Sequence, residues 1–271
     1  MKDLGITRIS PSMLMEYESC PKLFYYRSWL GLQLPQPQRH LKFGSAIHLA
    51  IDNIYEQFDE KDKWKLADKT IPKKIFKKNW TVSCIGDDEF KTLQERTDCF
   101  DEMLEDGLEI IDQFWDRKEE IYSTGFEPVK FEIPIKRVLK NLKTGKLFEI
   151  PHSMRLDSEA KRDRIGEFKT SAKEYDPTET KNSLQSLSYA YEKFDRTNTI
   201  PWVDYIVMVK KRKKNKIQHF TIVYTESDLL SYCERVDTIL DRIRNREFEP
   251  PPRGHPPWCD CKKFVELLKI E

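Results

Sequence analysis

No run of about 18 consecutive apolar residues occurs in the 271-residue chain, which excludes an ordinary membrane-spanning helix. The opening MKDLGITRIS lacks the apolar centre of a secretory signal, so a cytoplasmic protein is expected. Glycine is scarce, at 9 residues, while charged residues make up 34% of the chain and apolar residues 38%. That balance excludes a disordered chain and points to a charged, helix-leaning globular protein. Internal repeats are absent, and there is no low-complexity tract beyond short charge runs. Neither sign of charge dominates: the net charge of +1 leaves a local basic groove for nucleic acid neither supported nor excluded. The six cysteines, at 20, 84, 99, 233, 259 and 261, are scattered. Thiols of an intracellular chain usually stay reduced, so no disulfide is expected. The length suffices for one large domain or two modest ones with a core of ordinary size.

Ser10 followed by Pro11 reads as a helix start, with Leu14, Tyr17 and Cys20 at helical spacing. Pro21 ends that helix or starts a second one. Tyr25, Tyr26 and Trp29 beyond it are core aromatics or, alternatively, platforms for single-stranded bases. Residues 41–58 predict a helix with Ile47, Ile51, Ile54 and Phe58 on one face. Gly44 costs that helix roughly 1 kcal/mol if it is interior, so it allows another backbone to approach or lies in the first turn. Residues 60–85, Lys-rich with Trp64, Phe76 and Trp80, read as short helices and loops. Residues 87–122 read as a long helix through Leu93, Phe100, Leu104, Leu108, Ile111 and Trp115.

The pattern changes at Gly125. Val129, Phe131, Ile133 and Ile135 alternate as on one face of a strand, followed by a turn at 141–146. A second strand is expected at 147–157, a polar turn at 158–166 and a third strand at 167–171. A helix at 179–194 follows, then a hairpin of 202–211 and 216–225, then a helix at 227–248 capped by Ser227. This order predicts an α/β protein: a helical N-terminal subdomain (1–124), an α/β core (125–248) and a Pro- and Cys-containing tail (249–271) packing back on the N-terminal region.

The chemistry centres on the second and third strands. Residues two apart in a strand share a face, so Glu167 and Lys169 point together and Phe168 points into the core. Asp157 stands across the turn and converges with Glu167 if the strands pair. Two carboxylates form a hard oxygen site suited to Mg²⁺ or Mn²⁺, and the lysine would stabilise charge developing on a phosphate. The same three residues would otherwise be a solvated ion pair on a surface hairpin. His48, one turn after Gly44, is by itself an ordinary helix histidine.

Five matches in order give these residues company. SPSMLMEYESCPKLFYYR, FGSAIHLAI, RLD, GEFKTS and LQSLSYAYEKF together resemble the RecB-type branch of the PD-(D/E)XK nucleases. That branch includes nuclease domains of bacterial recombination exonucleases, CRISPR-associated adaptation nucleases and phage exonucleases. The resemblance implies a restriction-endonuclease-like mixed sheet flanked by helices. It implies His48, Asp157 and Glu167 as ligands of Mg²⁺ or Mn²⁺, with Lys169 as the catalytic lysine beside Asp157 and Glu167. Gln185 and Tyr189 would bracket the site and contact DNA, and Glu132 would be a supporting acid. Met154 stands where the family usually has glycine, which bears on the hairpin bend and removes no ligand. The implied activity is metal-dependent DNA hydrolysis, as an exonuclease on a single strand or duplex end, in recombination, repair or end processing in a bacterial or phage-infected cell. Recombination or CRISPR-adaptation proteins would be its partners. The alternative is a nuclease-fold subunit that binds DNA or a partner protein and cuts little or not at all.

The tail leaves a second question open. Many relatives hold an iron–sulfur cluster with one N-terminal and three C-terminal cysteines. Cys20, Cys259 and Cys261 match in place, but the tail spacing is C-x-C and a fourth thiol would have to be Cys233 or another distant one. His255 with the same three cysteines would suit zinc, and a metal-free arrangement is the third reading. The basic run at 210–214 sits at a hairpin tip, either solvated or touching phosphate.

Overall fold

The computed structural model describes residues 5–34, 39–58, 60–61, 64–84, 93–210, 215–250, 254–255 and 259–268, with 93–99 and 267 described for their backbone only. Helix α1 (Pro11–Ser19) begins as expected, its Ser10 side chain accepting the Met13 N–H at 3.2 Å. Pro21 opens a second short helix, α2 (Pro21–Phe24), which runs into one wide turn closed by the Leu30 N–H on the Tyr25 carbonyl at 2.9 Å. Helices α3 (Arg39–Glu56), α4 (Thr70–Cys84) and α5 (Leu93–Ser123) follow. The expected short helices and loops of 60–85 include α4, which buries Pro72, Phe76 and Trp80 on one side. The side chain of Leu93, expected on the apolar face of α5, and Cys99 lie outside the described residues.

Five strands follow among the described residues: β1 (Pro128–Arg137), β2 (His152–Ala160), β3 (Arg164–Ser171), β4 (Trp202–Val209) and β5 (Lys216–Val223). They lie in sequence order in one mixed sheet. Only β3 and β4 are parallel, and α6 (Pro177–Lys181) and α7 (Leu184–Thr197) make the crossover that parallel pairing requires. Helix α8 (Glu226–Arg244) and, in the tail, α9 (Cys261–Leu268) complete the chain.

Helices cover both faces of the sheet. Tyr17, Phe24, Leu156, Ile165, Tyr191, Tyr205 and Tyr232 build one core with α1, α7 and α8. Ile47, Ile51, Phe114, Phe126, Phe168 and Ile206 build the other with α3, α4 and α5. Strand β4 is buried along its length after Trp202, with Val203, Tyr205 and Val207 in the first core and Ile206 and Met208 in the second. That two-sided burial is why its sequence, apart from the paired Asp204, is apolar at successive positions rather than alternating. Residues before 124 therefore share both cores with the sheet. The tail closes on the N-terminal region through Cys20, Leu23, Tyr26, Cys261 and Phe264. Tyr26 stacks on Phe264 and Trp29 packs on Phe248, so these aromatics are structural contacts. No helix among the described residues is long and apolar enough to cross a membrane.

The structure corrects several sequence expectations. The polar turn expected at 158–166 is mostly strand, and only 161–163 turns, with Arg162 and Asp163 at φ 58° and 54°. Two of its charged residues are buried because distant charges neutralise them: Glu159 meets Lys193 and Arg196, and Arg164 forms a bidentate pair with Asp204 at 2.7 and 2.5 Å. The second strand starts at His152 rather than 147, where Ile9 pairs with the chain through Pro151 and Ser153. The helix expected at 179–194 is two, because Asp176 and Ser183 each cap a new start. Helix α8 is capped by Thr225, not Ser227, in a capping box with Asp228. In β1, Phe131 joins one core while Ile133 and Ile135 join the other, and Val129 is exposed at a bulge. The break in alternation falls at Glu132, whose φ is 49°. Of the basic run, Lys210 pairs with Asp106 at 2.5 Å, and 211–214 lie outside the described residues.

Candidate active site

Strands β2 and β3 part at Asp157. Their ladder runs from Ala160 with Arg164 to Ser158 with Gly166 and stops. Beyond it, the Phe168 N–H donates to Asp157 Oδ2 at 2.8 Å, so a side-chain carboxylate replaces the missing backbone acceptor. The fork needs Gly166: a Cβ there would lie 2.3 Å from the Phe126 ring and 2.4 Å from Ser158 Oγ.

On one side of the fork, Glu167 is 1% exposed. Its Oε1 pairs with Lys169 Nζ and accepts from Gln185 Nε2 at 2.8 Å. Gln185 Nε2 also donates to the Tyr189 hydroxyl at 2.8 Å, and Tyr189 is buried behind it. The i, i+4 spacing of Gln185 and Tyr189 on α7 thus places them as a brace on Glu167. Glu167 Oε2 is buried with no hydrogen-bond partner.

From the other side, α3 presents Gly44, His48 and Asp52 at successive turns. Gly44 is interior to the helix, and a Cβ on it would lie 3.2 Å from Thr170 Oγ1, so its small size admits a side chain of β3 rather than a backbone. His48 Nδ1 lies 4.0 Å from Asp157 Oδ1 and 4.0 Å from Glu132 Oε1. Donor atoms of His48, Glu132 and Asp157 all fall within 4.8 Å of one another. Glu132, expected only as a support, therefore completes the tight trio, while Glu167 stands beside it. The left-handed backbone at Glu132 in β1 is invisible to a pattern of alternating residues. Asp52 was not anticipated at all: it is buried and close enough to Glu132 and Asp157 to feel their charge. Its spacing of four from His48 was the available signal.

Electrostatics follow from crowding buried acids around one ammonium. Burial lowers the His48 pKa, which keeps the imidazole neutral, the form that binds metals. Burial pushes Asp157 up to about 6 against the opposing charge of Lys169. Glu167 rises to about 7 through burial and the neighbouring Asp157, and Asp52 to about 8 through burial with Glu132 and Asp157. Burial would lower the Lys169 pKa, but Glu167 and Asp157 outweigh it and hold the ammonium charged. A surplus of carboxylates, an unpartnered Glu167 oxygen and a neutral imidazole fit a hard divalent cation. The residues can thus bind such an ion next to a fixed positive charge.

No curated protein matches the chain. Among solved structures, a protein from Eubacterium rectale described as "Putative exonuclease" is similar, with 14% identity and a TM-score of 0.56, over 98% of this chain and 94% of that one. That likeness concerns the fold. A second structure, SSO0001, aligns at 15% identity over 88% of this chain and 77% of the other, with a TM-score of 0.36. The family model of the PD-(D/E)XK nuclease superfamily matches residues 8–264, nearly the whole chain from α1 to α9. The protein belongs to the PD-(D/E)XK nuclease superfamily.

Proposed function

We propose that the protein is a divalent-metal-dependent deoxyribonuclease that removes nucleotides from DNA ends during recombination, repair or end processing. One observation carries the reading: His48, Glu132 and Asp157, from three separate stretches, converge within 4.8 Å at the fork that also holds Glu167 and Lys169. His48, Asp157 and Glu167, with Glu132 beside them, would hold Mg²⁺ or Mn²⁺. Such an ion, when bound, supplies positive charge to the scissile phosphate and acidifies water.

The chain's own residues do the rest. Lys169 stays protonated, so it acts as a donor and positive charge toward the phosphate or the attacking water, not as a base. Glu167 holds that ammonium in place, and Gln185 and Tyr189 hold Glu167. The Tyr189 hydroxyl is an unsuitable nucleophile, because burial raises its pKa and Gln185 occupies it. Water is therefore the nucleophile, and no covalent enzyme–DNA intermediate forms. The exonuclease reading is supported by the Eubacterium rectale neighbour, which is described as an exonuclease. The substrate would be a single strand or a duplex end, in a bacterial or phage-infected cytoplasm.

End-labelled single- and double-stranded DNA, with free or blocked 5′ and 3′ ends, tests this in Mn²⁺, Mg²⁺ or EDTA. Cleavage should require the metal, stop at blocked ends and fall at least about 100-fold in Lys169→Ala and Asp157→Ala. Cleavage in EDTA, or cleavage indifferent to both substitutions, overturns the site. Cleavage of closed circular DNA overturns the exonuclease reading alone.

A further inference from the structure

Away from the active site, the described residues contain a second group of metal-binding side chains. Cys20, His255, Cys259 and Cys261 present donor atoms within 4.8 Å of one another. Cys20 Sγ lies 3.6 Å from Cys259 Sγ and 3.7 Å from Cys261 Sγ, and the two tail sulfurs are 3.0 Å apart. His255 Nδ1 lies 3.5 Å from Cys20 Sγ and 3.7 Å from Cys259 Sγ. We infer that these four residues bind a single zinc ion that staples the tail to the junction of α1 and α2.

Geometry decides between one ion and a cluster. Zinc–sulfur bonds of about 2.3 Å and zinc–nitrogen bonds of about 2.0 Å set donor separations of roughly 3.5–3.8 Å at the corners of a tetrahedron. Four of the five separations above fall at that spacing, and the remaining pair needs to open by less than an ångström. An iron–sulfur cluster distributes its protein ligands over two or more irons with sulfides between them, which demands wider spacing than these donors show. Three cysteines converge here. Cys233 is buried in the core among α7 and α8, and Cys84 lies on α4 against the opposite face of the sheet, so neither described thiol can serve as a fourth. A disulfide would use two sulfurs and leave the third thiol and the imidazole unexplained. Three thiolates and one imidazole make a closed, soft-donor tetrahedron, the composition of structural zinc sites.

The surroundings suit a staple. Cys20 occupies the residue between α1 and α2, and Cys261 begins α9, so the ion would join chain segments at opposite ends of the sequence. Tyr26 on Phe264 and Arg27 on Asp260 at 2.7 Å already align the two. Lys22 and Lys262 flank the cluster and would offset the net negative charge of a zinc with three thiolates. The inference does not depend on the proposed nuclease activity.

Full-length protein purified without added metal should carry one zinc per chain, with neither iron nor acid-labile sulfide. That zinc should persist in Asp157→Ala, which disables the other candidate metal centre, and in Cys84→Ser. Cys259→Ser and His255→Ala should lose most of it. Cobalt(II) loaded into the wild-type chain should give the intense visible bands of tetrahedral thiolate coordination, a readout that does not rely on variants folding. Stoichiometric iron and sulfide would overturn the inference in favour of a cluster. Zinc lost in Asp157→Ala but retained in Cys259→Ser would place it in the active site instead. Absence of zinc together with a cobalt form lacking those bands would leave no site.

Discussion

His48 Nδ1 on α3 and Asp157 Oδ1 on β2 lie 4.0 Å apart although α4, α5 and β1 intervene in the chain. The distance is too long for a hydrogen bond and short enough for a small side-chain movement to close both atoms on one cation. It joins the helix on one face of the sheet to the fork between β2 and β3, and Glu132 joins at the same distance from His48.

Manganese should therefore raise the melting temperature of the protein. At a hundred times its dissociation constant, a ligand specific to the folded state adds about 2.7 kcal/mol. His48→Ala and Asp157→Ala should abolish the rise, and Glu132→Gln should reduce it. Differential scanning calorimetry across a manganese series checks this, and an undiminished shift in Asp157→Ala would contradict the ligand set.

Gln185→Ala should slow cleavage by about 10- to 100-fold, the usual loss when a group orienting a metal ligand is removed. Its amide touches Glu167 and Tyr189, so DNA affinity should change little. Single-turnover rates beside binding isotherms separate the two effects. Equal losses in rate and affinity would instead make Gln185 a DNA contact.

The two glycines at the site should behave differently. Gly166→Ala forces a methyl into the Phe126 ring and Ser158, overpacking that costs about 1–3 kcal/mol and moves Glu167. Gly44→Ala meets only Thr170 Oγ1 at 3.2 Å, which can give way, and alanine recovers up to about 1 kcal/mol of helix propensity. Urea unfolding should show Gly166→Ala clearly destabilised and Gly44→Ala within about 1 kcal/mol of wild type.

His152 gives the fold an acid limit. It is 1% exposed, neither ring nitrogen has a hydrogen-bond partner, and Phe148 and Tyr232 pack beside it. Burial drops its pKa from 6.5 to about 3. Below pH 6.5 the unfolded chain takes a proton that the folded chain refuses, so this contribution is full above pH 6.5 and lost as the pH falls toward 3. Relative to His152→Leu, the wild type should lose about 1.4 kcal/mol per pH unit through that window. Denaturant titrations of both proteins at pH 7, 6, 5 and 4 measure the difference, which cancels the opposing effect of the active-site acids. A constant difference would mean that His152 takes up its proton in the fold as readily as in the unfolded chain.

Much of this site was legible before any coordinates. Glu167 and Lys169 had to share a face because strand geometry alternates, and Phe168 had to be buried. Gln185 and Tyr189 had to be neighbours because they are one helical turn apart. What alternation missed was the irregularity: the backbone of Glu132 turns left-handed, and this brings an acid into contact with His48. The buried charges of 158–166 were equally illegible, since Arg164 is held by Asp204 and Glu159 by Lys193 and Arg196. Burial of a charge depends on its partner, and those partners come from β4 and α7.

The sequence by itself determined most of the local elements, the order of helices and strands, and the residue types able to hold a hard cation. Those follow from periodicity, caps and donor chemistry, which act over a few residues. Only the tertiary structure decided that Glu132 and Asp52 stand with His48 and Asp157, and that Tyr189 braces rather than lines the site. It likewise decided that three cysteines and a histidine meet within 4.8 Å of one another. These relations depend on where a bulge, a strand fork and two ends of the chain come together, and no local pattern encodes the distance between segments that far apart.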